Sequence, residues 1–284
     1  MGPVIVPAYV DVPYLKRQDE IFVARVWTPP QSVDRKAVIV DVHGGAWCDR
    51  DRKAGYHYDQ QLASQGFVVV AVDFRCGPQY CHPDASTDIA AAVHWARLRA
   101  EELVGHSAQV LTIGSSSGGH LGLLAALRPQ LQDEEGTELW IDGEWVTQSS
   151  VDGRVDNVAA FWAPVDPLLR YRYANLLDTR LGRRLSTNTV AYFCDEDAMH
   201  DASITRIMSE EPPAHIPNVW FARAGNDKNV PSELVDQLAR TYRAAGGSFW
   251  LEDYPKCEHG FGHADSEHTQ QFVKDLVFWI NSAL

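Results

Sequence analysis

Short apolar runs bounded by turn residues recur along this chain, with amphipathic segments between them. The clearest runs are Ala37 to Val42, Phe67 to Phe74, Gln109 to Ile113, Val158 to Trp162, Val219 to Ala224 and Ser248 to Tyr254. They read as strands. Tyr9 to Leu15 and Ile21 to Thr28 add a hairpin at a sheet edge, so the expected α/β sheet is mostly parallel and eight-stranded, flanked by helices. Asp84 to Leu103 carries Ile89, Val93, Ala96, Ala100 and Leu103 at alternating steps of four and three, which puts one apolar helical face on that sheet. Ser232 to Ala245 ends at Gly246-Gly247, a helix stop, and Gln270 to Ser282 is the last helix.

Two segments break the alternation. Residues 166–217 hold no strand pattern but five arginines (Arg170, Arg172, Arg180, Arg183, Arg184) and aromatics, and read as a cap-like insertion over the carboxyl edge of the sheet. Gln132 to Asp156, with Trp140 and Trp145, reads as an exposed hairpin-like insertion. Otherwise the 284 residues fit one domain, with 45% hydrophobic and 22% charged positions.

A formal net charge of −13 repels phosphate backbones and anionic membranes, which argues against nucleic acid as a partner. No apolar run reaches membrane-spanning length, and Met1 to Val6 lacks the basic start of a signal peptide, so the expected location is cytoplasmic. Cys48, Cys76, Cys81, Cys194 and Cys257 are odd in number and scattered, as in a reducing compartment; Cys76 and Cys81 are the one pair that could bridge within a loop. The reading admits a homodimer.

Candidate chemistry begins at Ile113-Gly114-Ser115-Ser116-Ser117-Gly118-Gly119-His120, where only Ser116 has glycine both two before and two after it. That is the G-x-S-x-G nucleophile elbow, set between an apolar strand and an apolar helix. A serine hydroxyl needs a base and an acid to orient that base, in chain order serine, acid, histidine. Asp227 follows the run Val219 to Ala224, and His259 follows Ser248 to Tyr254, 111 and then 32 residues along the chain. His263 is the rival base; His259 comes sooner after its strand and precedes Gly260, which lets the backbone turn to aim the ring. His43-Gly44-Gly45-Ala46-Trp47 follows Ala37 to Val42, so Gly44, Gly45 and the N–H of Ser117 are the expected oxyanion donors, with His43 holding the loop. Trp47, Tyr80, Trp162 and Phe261 stand near these motifs and are the expected substrate-binding aromatics. The arginines at 170–184 could receive a carboxylate-bearing substrate or simply face solvent. His259, His263 and His268 lack the companions of a metal site, and Gly114 to Gly119 lacks the phosphate-loop ending and the dinucleotide spacing, so no metal or cofactor is expected.

Together, His43 to Trp47, Val72-Asp73-Phe74-Arg75, Gly114 to Gly119, Asp227 to Pro231 and His259-Gly260-Phe261 resemble the hormone-sensitive-lipase-like and acetyl esterase branch of the α/β-hydrolases. The resemblance implies ester hydrolysis through an acyl-serine, with Ser116 as nucleophile, Asp227 as acid, His259 as base and a small-molecule ester as substrate. Ser115 and Ser117 stand where that branch often has an acidic residue and alanine. The His-Gly-Gly-x-Trp form is also similar to kynurenine formamidases, so an arylformamidase is the alternative, with a thioesterase or lactone hydrolase on the same residues. A ligand-binding protein on a hydrolase scaffold is a further alternative, but such proteins typically lose the histidine that His259 supplies here.

Overall fold

The computed structural model describes residues 7–129 and 136–284; the expectations drawn on Met1 to Val6 and on the start of the insertion at Gln132 lie outside them. The strands are β1 (Ala8–Arg17), β2 (Glu20–Thr28), β3 (Ala37–Val42), β4 (Phe67–Val72), β5 (Val110–Ser115), β6 (Glu138–Ile141), β7 (Glu144–Thr147), β8 (Asn157–Phe161), β9 (Asn218–Ala224) and β10 (Phe249–Tyr254). They form one sheet in the order β10-β9-β8-β5-β3-β4-β2-β1-β6-β7. The run from β10 to β4 is parallel, and the pairs beyond it are antiparallel.

The sheet thus has ten strands rather than eight, because the insertion supplies a hairpin that joins it. β6 pairs with β1, Leu15 opposite Leu139, both fully buried, and Lys16 reaches Glu138 at 2.7 Å. The β1–β2 hairpin is therefore interior, and β7 takes the edge. Trp140 and Trp145 face each other across the hairpin with ring centroids 5.1 Å apart, and the Trp95 indole N–H donates to the Trp140 carbonyl.

Every residue of β3 and β4 is buried, as strands covered on both faces must be. Successive side chains enter opposite layers. Val38, Val40 and Val42 pack with Ile89, Val93 and Leu124, from α2 (Asp84–Leu98) and α4 (Ser117–Leu127). Ala37 and Ile39 pack with Leu62 of α1 (Tyr56–Ser64) and Leu276 of the last helix. The helix expected over Asp84 to Leu103 breaks at Arg99 into α2 and α3 (Ala100–Val104).

Residues 166–217 form four helices, α5 (Pro167–Leu176), α6 (Arg180–Phe193), α7 (Glu196–Asp201) and α8 (Ile204–Glu210). Asp166, Thr179, Asp195 and Ser203 each cap one by accepting from a backbone N–H three residues on. After β9 come α9 (Ser232–Ala244), a short 3₁₀ turn at Phe261–His263 and α10 (Glu267–Ala283). The five cysteines are free thiols; Cys81 lies against Cys194, the residue that ends α6, and not against Cys76. No helix among the described residues is long and apolar enough to cross a membrane.

Candidate active site

The loops leaving β3, β5, β9 and β10 converge at the carboxyl edge of the sheet, the end at which open parallel sheets build sites. Between β5 and α4 stands Ser116, at φ 53° and ψ −125°, a conformation that costs about 1–3 kcal/mol for a residue with a Cβ. Its N–H donates to the Phe161 carbonyl at 2.8 Å. The turn is so tight that a Cβ at Gly118 would sit 2.0 Å from the Val42 oxygen, and one at Gly114 2.6 Å from the Gly118 backbone. Only glycine fits at either place.

Asp227 lies in the turn after β9. Its Oδ1 accepts from the backbone N–H groups of Asn229 at 2.7 Å and Val230 at 3.0 Å, and its Oδ2 faces His259 Nδ1 at 2.8 Å. Since a carboxylate can only accept, Nδ1 carries the imidazole proton and Nε2 is left as an acceptor. Nε2 is 2.9 Å from Ser116 Oγ. The three side chains therefore form one hydrogen-bonded line, screened from water at its acid end: the Asp227 side chain is 4% exposed and that of His259 21%. His263 is turned away, its Nδ1–H donating to the Ala54 carbonyl at 3.0 Å, and burial and the charge of Arg50 lower its pKa to about 4.

The glycine loop after β3 lies against the elbow. A Cβ at Gly44 would meet the Ser115 oxygen at 2.8 Å and Ser116 Cβ at 3.1 Å, while Gly45, at φ +122°, would drive one into the Asp49 carbonyl. The His43 ring stacks on Phe74 and its Nδ1–H donates to the Gly44 carbonyl, pinning the loop. Ser117 is the first residue of α4, so its N–H belongs to the helix's unpaired first turn beside the Ser116 hydroxyl.

A cavity of about 180 Å³ opens on Ser116 and His259. Gly44, Gly45 and Ala46 form one wall, and Leu181, Arg184 and Leu185, one face of α6, form another. Arg50, Asn229, Gly260 and His263 complete it. The four aromatics expected to bind substrate are absent from this lining. Trp47 is buried between the Tyr192 and Phe193 rings and donates to His120 Nδ1; Trp162 and Phe261 pack on each other and on Phe272 behind the histidine loop. Tyr80 is half-buried beside Glu20, lining a different depression. Their proximity in sequence places them around the loops, whereas packing against α6 and α10 turns Trp47, Trp162 and Phe261 away from the serine. Of the basic segment only Arg184 reaches the cavity; Arg172 and Arg183 pair with Glu196 and Asp178 in solvent. The i, i+3, i+4 spacing of Leu181, Arg184 and Leu185 was the available signal for this wall.

The chain is 27% identical over 252 residues to "Esterase LipC" of Mycobacterium tuberculosis, covering 86% of this chain and 58% of that one. It is 25% identical over 255 residues to "Probable carboxylic ester hydrolase LipM" of the same organism, covering 84% and 53%. The chain thus spans little more than half the length of these curated relatives. Among solved structures, propionate-bound esterase Est2 of Thermogutta terrifontis superposes with a TM-score of 0.73 at 19% identity, covering 97% of this chain and 94% of that one, a likeness of fold. The BD-FAE family model matches residues 25–241, most of the chain, and this protein accordingly belongs to the BD-FAE family of α/β-hydrolases.

Proposed function

We propose that this protein is a serine hydrolase that cleaves carboxylic esters through an acyl-serine intermediate. The observation that carries the reading is the line from Ser116 Oγ to His259 Nε2 at 2.9 Å and from His259 Nδ1 to Asp227 Oδ2 at 2.8 Å. In the first step Ser116 Oγ attacks the ester carbonyl as Nε2 takes its proton, and Asp227 stabilises the imidazolium. The backbone N–H groups of Gly44, Gly45 and Ser117 receive the developing oxyanion. Nε2 then gives the proton to the leaving alcohol. Water, deprotonated by the same nitrogen, releases the acid. The esterase names of the relatives support this chemistry, and the small cavity supports short acyl groups.

We further propose that residues 1–284 form a single domain, with the helices of 166–217 as its cap. The cytoplasmic location and the homodimer belong to the same reading, tested by fractionation and light scattering.

The deciding experiment compares wild type with Ser116→Ala and His259→Gln on 4-nitrophenyl acetate and butyrate and on N-formylkynurenine. Turnover should fall by about 10⁴-fold or more in each variant, with loss of fluorophosphonate labelling in Ser116→Ala, while His263→Gln stays within about tenfold of wild type. Undiminished ester hydrolysis by Ser116→Ala would overturn the reading, and faster cleavage of the formamide than of either ester would replace it with an arylformamidase.

A further inference from the structure

The charge of the cavity runs against the charge of the chain. The protein carries a formal net charge of −13, yet the residues lining the cavity at Ser116 include Arg50 and Arg184 and neither aspartate nor glutamate. Arg50 sits in the left-handed region at φ +79°, just beyond the glycine loop. Among the described residues it has no hydrogen-bond or ion-pair partner. Arg184 reaches Asp49 Oδ2 at 3.1 Å, but both side chains are more than half exposed, so the pair is weak and open to exchange.

Behind Leu185 lies a third guanidinium. Arg170 is fully buried, over the Trp47 ring at 5.2 Å, with Nη1 donating to the Leu185 carbonyl and to Thr189 Oγ1. None of its hydrogen bonds goes to a carboxylate; burial lowers its pKa to about 10 against the opposing pull of the Asp227 charge, and it stays charged at neutral pH. A cation held among apolar walls projects its field further than one in water. The lining of the pocket thus carries cationic side chains and no carboxylate, in an acidic protein, with the Asp227 charge set behind His259.

We infer that the site is specific for esters carrying an anionic group, a carboxylate or a phosphate, held by Arg50 and Arg184 while the ester carbonyl meets Ser116. The inference rests on the esterase reading and names its substrate class. Arg50 is the principal contact because it has no internal partner to give up; Arg184 adds a second donor when it leaves Asp49. Both are binding residues and take no part in the bond changes.

The test uses matched ester pairs that differ in one charge. On the acyl side the pair is 4-nitrophenyl hydrogen glutarate and 4-nitrophenyl methyl glutarate, with the 4-phosphonobutyrate ester as the phosphate-like arm. On the alcohol side it is 4-acetoxybenzoate and its methyl ester. Wild type should favour the anionic member of at least one pair by about tenfold in kcat/KM, the scale of one charge-assisted hydrogen bond. The preference should shrink as NaCl is raised and fall several-fold in Arg50→Gln, through KM rather than kcat. Which arm shows it identifies where the anion lies and of which kind it is. Equal rates on the two members of every pair, or a preference that survives Arg50→Gln and Arg184→Gln together, would overturn the inference and leave the esterase reading standing. No hydrolysis of any of these esters would remove both.

Discussion

Beneath the active-site loops two carboxyl groups are buried together. Asp41 of β3 and Asp59 of α1 are at most 1% exposed; the Tyr58 hydroxyl approaches both Asp41 oxygens at 3.2 and 3.3 Å, while neither oxygen of Asp59 has a hydrogen-bond partner among the described residues. Burial raises the Asp41 pKa from 3.8 to about 7, against the opposing Tyr58 hydrogen bond, and burial together with the Asp41 charge raises Asp59 well above its usual value. The folded protein thus retains protons that the unfolded chain releases. Below about pH 4 both states are protonated and the contribution to stability is complete; as pH rises towards 7 the unfolded state gives up its proton first and stability is lost. At about 1.4 kcal/mol per pKa unit, the Asp41 shift corresponds to about 4 kcal/mol, which relaxation around a buried charge brings to about 2–4 kcal/mol. Asp41→Asn removes the ionisation at nearly constant shape. Any penalty of the amide itself is the same at every pH and cancels in the difference. Urea unfolding of wild type and Asp41→Asn at pH 4.5 and pH 8 should show wild type losing about 2–3 kcal/mol more than the variant over that interval. Equal losses in the two proteins would refute the reasoning.

Three further outcomes are expected. Gly118→Ala cannot keep the elbow, since its Cβ would stand 2.0 Å from the Val42 oxygen, so ester turnover should fall at least a hundredfold with the far-ultraviolet dichroism retained; normal turnover would show that the loop rearranges at little cost. Asp88 is fully buried and accepts from Arg17 Nε at 2.9 Å and from Arg75 Nε and Nη2 at 2.9 and 2.8 Å, so Asp88→Ala should cost about 3–5 kcal/mol in urea unfolding, and an unchanged midpoint would contradict it. Cys81 Sγ faces Cys194 Sγ, whereas Cys76 Sγ donates to the Phe74 carbonyl. Exchange with oxidised glutathione, which leaves as two thiols, should yield an 81–194 linked peptide by mass spectrometry; a 76–81 link would contradict this placement.

The legible parts of the chain are those whose information is local. A six-residue, valine-rich run such as Ala37 to Val42 reads as a strand covered on both faces, and the structure buries all of it; Gly114 and Gly118 around Ser116 read as a tight turn, and there the backbones touch. What stayed hidden depends on distance. Nothing around Leu139 announces that it will pair with Leu15, because strand pairing is settled by which edge has room and which apolar face remains uncovered. The Asp49–Arg184 and Cys81–Cys194 contacts, the second joining residues 113 apart, depend on where α6 settles on the sheet. The sequence by itself determined the alternation of strand and helix, the strained serine and the order of serine, acid and histidine, since each follows from neighbouring residues and backbone sterics. Only the tertiary structure decided that Trp47, Tyr80, Trp162 and Phe261 stay out of the cavity while Arg50 and Arg184 line it, because the wall of a pocket is assembled from loops and helices whose separation along the chain carries no record of their meeting in space.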